Sequence, residues 1–220
     1  RRQRQMCIRD SVMNFEQYLA DLRETVDLAK TDMPAEMPCF LLGHSLGGLI
    51  ALYFTQRHPD LIDGLVVSSP CLGMVIEVPP TKKVLGSFMS RVWPGLTMGN
   101  ELDAATISRD PSVVSAYEKD PLVHDRVSAR FFTELMAAME SVNREAASLN
   151  VPVLMQVAGE DYLVNAESSK LFFEKMTLAD KTLHLYDGLY HEVYNAPQEE
   201  KERVLDDLEA WLVERMTNDE

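Results

Sequence analysis

Apolar side chains at Phe15, Tyr18, Leu19, Leu22, Val26 and Ala29 recur at i, i+3, i+4 and i+7. That is the period of one helix face, and it predicts a helix over residues 12–30 that Pro34 and Pro38 terminate. The run Cys39-Phe-Leu-Leu42, closed by Gly43, is apolar throughout and too short for a helix. It predicts a strand buried on both faces, as in a parallel sheet. Helical spacing returns over residues 46–58. Residues 63–69 read as a second short buried strand stopped by Pro70, and residues 152–158 and 181–186 as two more. Helical patterns over 166–176 and 199–216 separate and follow the last two strands. This β-α alternation predicts a doubly wound, mostly parallel α/β sheet.

Between Pro70 and Asn150 the alternation fails. The segment carries only helical periods and turn signals, among them Leu85, Phe88, Met89, Val92, Trp93 and Leu96, and it is too long for a loop. It is expected to form a mostly helical insertion over the carboxyl ends of the strands, where open α/β sheets bind ligands. No repeat divides the 220 residues, so one domain with an insertion fits better than two small domains.

Charge narrows the partners. With 35 acidic against 21 basic side chains and a formal charge of -14, the surrounding field repels polyanions, and nucleic acid is not expected as a partner. The three cysteines, Cys7, Cys39 and Cys71, share no metal-ligand spacing, and no phosphate loop is present. A reduced protein without metal or organic cofactor is therefore expected, with Cys39 as a packing residue. No stretch approaches the ~20 apolar residues needed to span a bilayer. A cytoplasmic or membrane-peripheral location is the expectation.

The first eleven residues, RRQRQMCIRDS, have no apolar period and are basic where the rest is acidic. Their MCIRDS portion resembles the translation of a transposon-type sequencing adapter end, so residues 1–11 are read as a non-native leader, with a genuine basic loop as the alternative. The α/β core is then expected over 12–70 and 151–220, with the helical insertion as a cap over 71–150.

Gly43-His-Ser-Leu-Gly47 is G-x-S-x-G between a buried strand and a helix, the context that makes this pentapeptide informative. A sharp turn there would hold the Ser45 hydroxyl above the strand ends near the positive end of a helix. The Leu46 amide would then be one oxyanion donor. The glycines are expected because a Cβ at either Gly43 or Gly47 would meet neighbouring backbone, while Gly48 gives the helix room to pack on the sheet. A serine hydroxyl needs an imidazole to take its proton. His44 belongs to the turn, with its ring expected to point away from the hydroxyl. His58 ends the helix, His124 lies in the insertion, and His184 alternates with Leu183 and Leu185 inside a strand. His191 follows the last strand across a short loop, which makes it the candidate base. The orienting acid is expected after the preceding strand, where Glu160 and Asp161 both qualify. Asp161 is preferred, because Glu160 beside the Gly159 turn is more easily solvated. The order serine, acid, histidine is that of α/β-hydrolases.

Gly43-His-Ser-Leu-Gly-Gly48, Ser68-Ser-Pro70, Asp120-Pro-Leu-Val-His124, Gly159-Glu-Asp-Tyr-Leu-Val164 and Tyr186-Asp-Gly-Leu-Tyr-His-Glu192 together resemble the monoacylglycerol lipase and lysophospholipase branch of the α/β-hydrolases, the serine aminopeptidase-like group. The resemblance implies an α/β-hydrolase fold with nucleophile, acid and base at Ser45, Asp161 and His191 and a cap in the insertion. It also implies that early strands are missing, since only about forty residues precede Ser45 and no His-Gly segment among them supplies a second oxyanion amide.

The substrate implied by that resemblance is a small acyl ester, a monoacylglycerol or lysophospholipid. Lys82, Lys83 and Arg91 accompany an apolar stripe ending near Trp93. That helix either dips into a lipid surface or packs its stripe on its own domain. Met89, Met98, Met136 and Met139 either line an acyl channel or belong to ordinary core. The alternatives are a hydrolase of small soluble esters, thioesters or N-terminal peptide bonds, and an inactive truncated scaffold.

Overall fold

The computed structural model describes residues 13–34, 36–75, 79–99 and 103–217, with the backbone alone at 80, 82 and 83. The leader expected over 1–11 lies outside the described residues. In chain order the strands are β1 (Phe40–His44), β2 (Gly64–Ser68), β3 (Thr97–Gly99), β4 (Arg126–Ser128), β5 (Val153–Ala158) and β6 (Lys181–Tyr186). The helices are α1 (Glu16–Asp32), α2 (Leu46–Arg57), α3 (Pro80–Val92), α4 (Pro111–Lys119), α5 (Ala129–Arg144), α6 (Ala166–Lys175) and α7 (Gln198–Thr217).

Strands β1, β2, β5 and β6 form a parallel sheet in that spatial order. Parallel neighbours need crossovers, and α2, the long insertion and α6 supply them. Side-chain alternation divides β2 and β5 between two helical layers. Leu65, Val67, Val153, Met155 and Val157 join one core with residues of α1, α2, α5 and α6. Val66 and Leu154 turn the other way and pack on Trp211 of α7. Burying apolar side chains on both faces is why these strands are short uninterrupted apolar runs.

Strand β1 departs from the expected burial. Gly43 is its sole buried residue, and Leu42 is 48% exposed. Among the described residues β1 pairs with β2 alone, so its other side has no strand to cover it.

The insertion is not purely helical either. β3 and β4 pair antiparallel, and the Arg126 guanidinium reinforces the ribbon by donating to the Thr97 hydroxyl and carbonyl at 2.9–3.2 Å. Three-residue strands this far apart in sequence are too short to show a period of two, which hid them from the pattern. At its end the insertion rejoins the main core, where Ala138, Met139 and Val142 of α5 are buried. Gln56 of α2 donates to the Val142 carbonyl at 3.0 Å, and Asn143 donates to the Leu72 carbonyl at 2.9 Å.

Candidate active site

At the end of β1 the chain turns into α2 through Ser45, whose φ of 54° and ψ of -118° are strained for any residue but glycine. The turn is held from below. Ser45 N–H donates to the Ser68 carbonyl at 2.9 Å, and its own carbonyl accepts from the amides of Leu49 and Cys71 at 3.1 and 3.0 Å. A Cβ on Gly43 would lie 2.4 Å from the Gly47 carbonyl oxygen, so glycine is required there. Gly47 corrects the expectation drawn from the sequence, because a Cβ there meets nothing within 4 Å. A Cβ on Gly48 would lie 2.9 Å from Cβ of Pro70, in the loop after β2. Leu46 opens α2, so its amide belongs to the first turn, whose N–H groups the helical ladder does not use.

His191 and Asp161 meet across the loops that follow β6 and β5. Nδ1 of His191 lies 2.7 Å from Oδ2 of Asp161, and the two side chains are 5% and 0% exposed. The remaining oxygen of Asp161 accepts from the amides of Leu163 and Val164 at 2.8 and 2.9 Å. Glu160, the alternative acid, is exposed, and its amide ties the two loops together by donating to the Leu189 carbonyl at 3.0 Å. The loops also touch backbone to backbone, since a Cβ on Gly159 would come within 2.9 Å of both Asp187 Cα and the Tyr186 carbonyl oxygen. The rings of Tyr162 and Tyr190 pack edge to face at 5.1 Å outside this junction.

The elbow and the acid–histidine pair come together through His44, whose ring lies 4.8 Å from that of His191, centroid to centroid. Ser45 is the next residue along. An imidazole whose Nδ1 is engaged by a buried carboxylate has its Nε2 available to take a proton from a hydroxyl beside it.

The insertion reaches the same place. Glu192 N–H donates to the Ile107 carbonyl at 2.9 Å and the Ser108 hydroxyl donates to the Asn195 carbonyl at 2.7 Å, which pins the segment before α4 to the histidine loop.

Other candidates fall elsewhere. His58 packs at a tilt on Phe54, and His184 stacks on Tyr186 with its Nδ1 3.7 Å from Asp207. Of the four methionines, Met139 is core, Met136 is half-buried against it, Met89 is half-buried on α3 and Met98 is exposed. Cys39 and Cys71 are buried free thiols, and burial, with the Asp161 charge second, pushes the Cys71 thiol up to about 12. Among the described residues no group of three potential ligands could hold a metal ion, and no helix is long and apolar enough to cross a membrane.

Two features had no sequence signal. Glu192 reaches past its own loop to His44, with Oε1 3.4 Å from Nε2. Gln156, fully buried in β5, donates to Tyr186 Oη and the Val204 carbonyl and accepts from Tyr194 Oη, all at 2.6–2.8 Å. Nothing in the run Val-Leu-Met-Gln-Val-Ala marks that glutamine as the anchor of a loop, because its three partners lie on β6, on α7 and in the loop between them.

Comparison with known proteins gives a consistent picture. The family described as "Serine aminopeptidase, S33" matches residues 7–198. A monoacylglycerol lipase of Mycolicibacterium smegmatis is 34% identical over 204 residues, covering 92% of this chain and 71% of that protein. Phospholipase YtpA of Bacillus subtilis is 33% identical over 195 residues, covering 87% and 74%. The crystal structure of a monoacylglycerol lipase from Paleococcus ferrophilus superposes with a TM-score of 0.82 at 33% identity, covering 92% of this chain and 76% of that one.

Proposed function

The chain belongs to the serine aminopeptidase S33 family and has the α/β-hydrolase fold, and from that premise we propose that it cleaves carboxylic esters of lipids, a monoacylglycerol or a lysophospholipid, through an acyl-enzyme on Ser45. The observation that carries this reading is the 2.7 Å contact of two nearly solvent-free groups, His191 and Asp161, beside the strained turn at Ser45.

In the first half-reaction the Ser45 oxygen forms a bond to the ester carbonyl carbon while its proton passes to Nε2 of His191. Asp161 keeps the other ring nitrogen protonated and stabilises the imidazolium. The Leu46 amide faces the developing oxyanion at the positive end of α2. When the carbon–alkoxide bond breaks, His191 returns the proton to the leaving alcohol. A water molecule, deprotonated by the same ring, then releases the fatty acid and restores Ser45.

The lipid part of the reading has a second support. On α3 the side chains of Val84, Leu85, Phe88, Val92 and the following Trp93 are 59–72% exposed, and Arg91 is exposed beside them. The stripe faces away from its own domain instead of packing on it, which favours contact with a lipid surface over the internal packing that the sequence left open.

The test is turnover of monoacylglycerol and of a chain-length series of nitrophenyl esters by the chain and its Ser45→Ala variant. The expected result is activity that rises with acyl length and falls on the order of 10³-fold or more on loss of Ser45. Near wild-type turnover by Ser45→Ala overturns the mechanism. A preference for the shortest esters assigns the chain to small soluble substrates instead.

A further inference from the structure

The ring of His191 is bordered by that of His44, which engages two further polar groups. His44 presents Nδ1 to the buried Ser68 hydroxyl at 3.1 Å and Nε2 to Glu192 Oε1 at 3.4 Å. With Ser68 donating to Nδ1, the His44 proton sits on Nε2 and faces the carboxylate. The separation is long and off-axis, so the ring N–H meets the carboxylate as a dipole rather than in a full hydrogen bond. The other oxygen of Glu192 is fixed by the Asn195 side-chain amide at 2.9 Å, and the residue's own N–H is tied to the Ile107 carbonyl. Glu192 is therefore half-buried, with one carboxylate oxygen hydrogen-bonded, the other against His44 and its backbone tied to the insertion, and it is directly adjacent in sequence to the catalytic candidate.

We propose that Glu192 is a positioning residue for His191: with His44 as its strut, it supplies a second negative charge that stabilises the imidazolium formed on His191 while the ester bond is made and broken. This rests on the triad reading above, with Asp161 acting on the ring directly and Glu192 acting from beyond His44.

The charged and titratable surroundings support one sign. His191 is faced by Asp161 from the loop after β5 and by His44 from the end of β1, and Glu192 of its own loop stands against His44 with its charge in reach of His191. Cys71, in the loop after β2, stays a neutral thiol. Glu192 is faced by His44, His191 and Asn195, and by Tyr117 of α4, whose hydroxyl is raised by burial first and by the Glu192 charge second. Glu192 itself is held below the usual glutamate range, first by the His44 ring N–H, with burial opposing, and then by the His44 charge, the Asn195 amide and His191. It is thus ionised wherever a histidine base works.

The decisive measurement is the pH profile of kcat/KM on a short, water-soluble nitrophenyl ester for the chain, Glu192→Gln, His44→Phe and the double variant. Removing the negative charge disfavours the protonated ring, so Glu192→Gln is expected to move the acidic midpoint down by roughly half to one pH unit and to lower the plateau about three- to tenfold. Because the pair is partly exposed, the shift should shrink as salt is raised. In the His44→Phe background the effect of Glu192→Gln should fall to less than half, since the strut is gone. A separate readout does not depend on turnover: in the Ser45→Ala background the NMR titration of the His191 ring should show the same displacement on Glu192→Gln. Unchanged midpoints in both measurements overturn the inference. A displaced NMR midpoint in a chain with no esterase activity instead upholds the coupling and overturns the functional reading.

Discussion

Asp161 and His191 face each other at 2.7 Å with both side chains almost free of solvent, while the second oxygen of Asp161 is taken up by two backbone amides. One carboxylate therefore both shapes its own loop and orients the ring. Asp161→Asn keeps an oxygen for Leu163 and Val164 but turns an NH₂ toward Nδ1, forcing the wrong tautomer. Its kcat should fall by roughly 10³- to 10⁴-fold with little change in melting temperature. Glu160→Gln, on an exposed side chain, should stay within about twofold. The opposite order in steady-state kinetics would transfer the acid's role to Glu160.

Gly43 and Gly47 look equivalent in the pentapeptide and are not equivalent in space. Gly43→Ala drives a methyl into the Gly47 carbonyl and should cost on the order of 2–4 kcal/mol, read as a lowered urea midpoint. Gly47→Ala has open space around it inside the first turn of α2. It should be neutral or stabilise by up to about 1 kcal/mol, because alanine loses less backbone entropy in a helix. Equal damage at both positions would contradict the packing described.

Gln156 should matter to catalysis without touching substrate. Its amide oxygen accepts from Tyr194, three residues after His191, while its NH₂ reaches Tyr186 and α7. Gln156→Leu strands the Tyr194 hydroxyl in a dry interior and takes a donor from the Val204 carbonyl and from Tyr186 Oη, which keeps its bond to Asp207, at a cost of roughly 1–3 kcal/mol for each group left unsatisfied. Tyr194→Phe strands the amide oxygen alone and should cost less. Both should lower kcat more than they raise KM, since the histidine loop is loosened and the substrate surface is unchanged. A normal kcat in a destabilised Gln156→Leu protein would limit the network to folding.

The exposed α3 stripe predicts a choice of lipid surface. With a formal charge of -14, the chain should sediment with zwitterionic phosphatidylcholine vesicles more than with anionic ones at low salt. Phe88→Ser combined with Trp93→Ser should weaken that partitioning roughly tenfold or more, each large apolar side chain being worth about 1.5–3 kcal/mol when buried. Turnover of a soluble ester should be spared. Unaltered sedimentation would show that α3 does not meet the lipid.

The sequence alone determined the parts of this protein that local periodicity and chain order encode. Short apolar runs between helical stripes gave the parallel strands, because a doubly covered sheet leaves no polar face to record. The order Ser45, Asp161, His191 followed from strand ends, since loops after parallel strands must converge on one edge. What the tertiary structure decided are relations between elements that no local pattern carries. Asp161 is distinguished from Glu160 by burial and by a contact thirty residues away in sequence. Gly47 is distinguished from Gly43 by which of them faces the returning backbone. The β3–β4 ribbon exists by pairing, and its three-residue strands are too short to declare themselves. Glu192 and Gln156 matter only because other strands and loops bring His44 and Tyr194 within reach of them. Periodicity reports which face of an element is dry. It does not report which partner fills that face, and at this site the partners determine the chemistry.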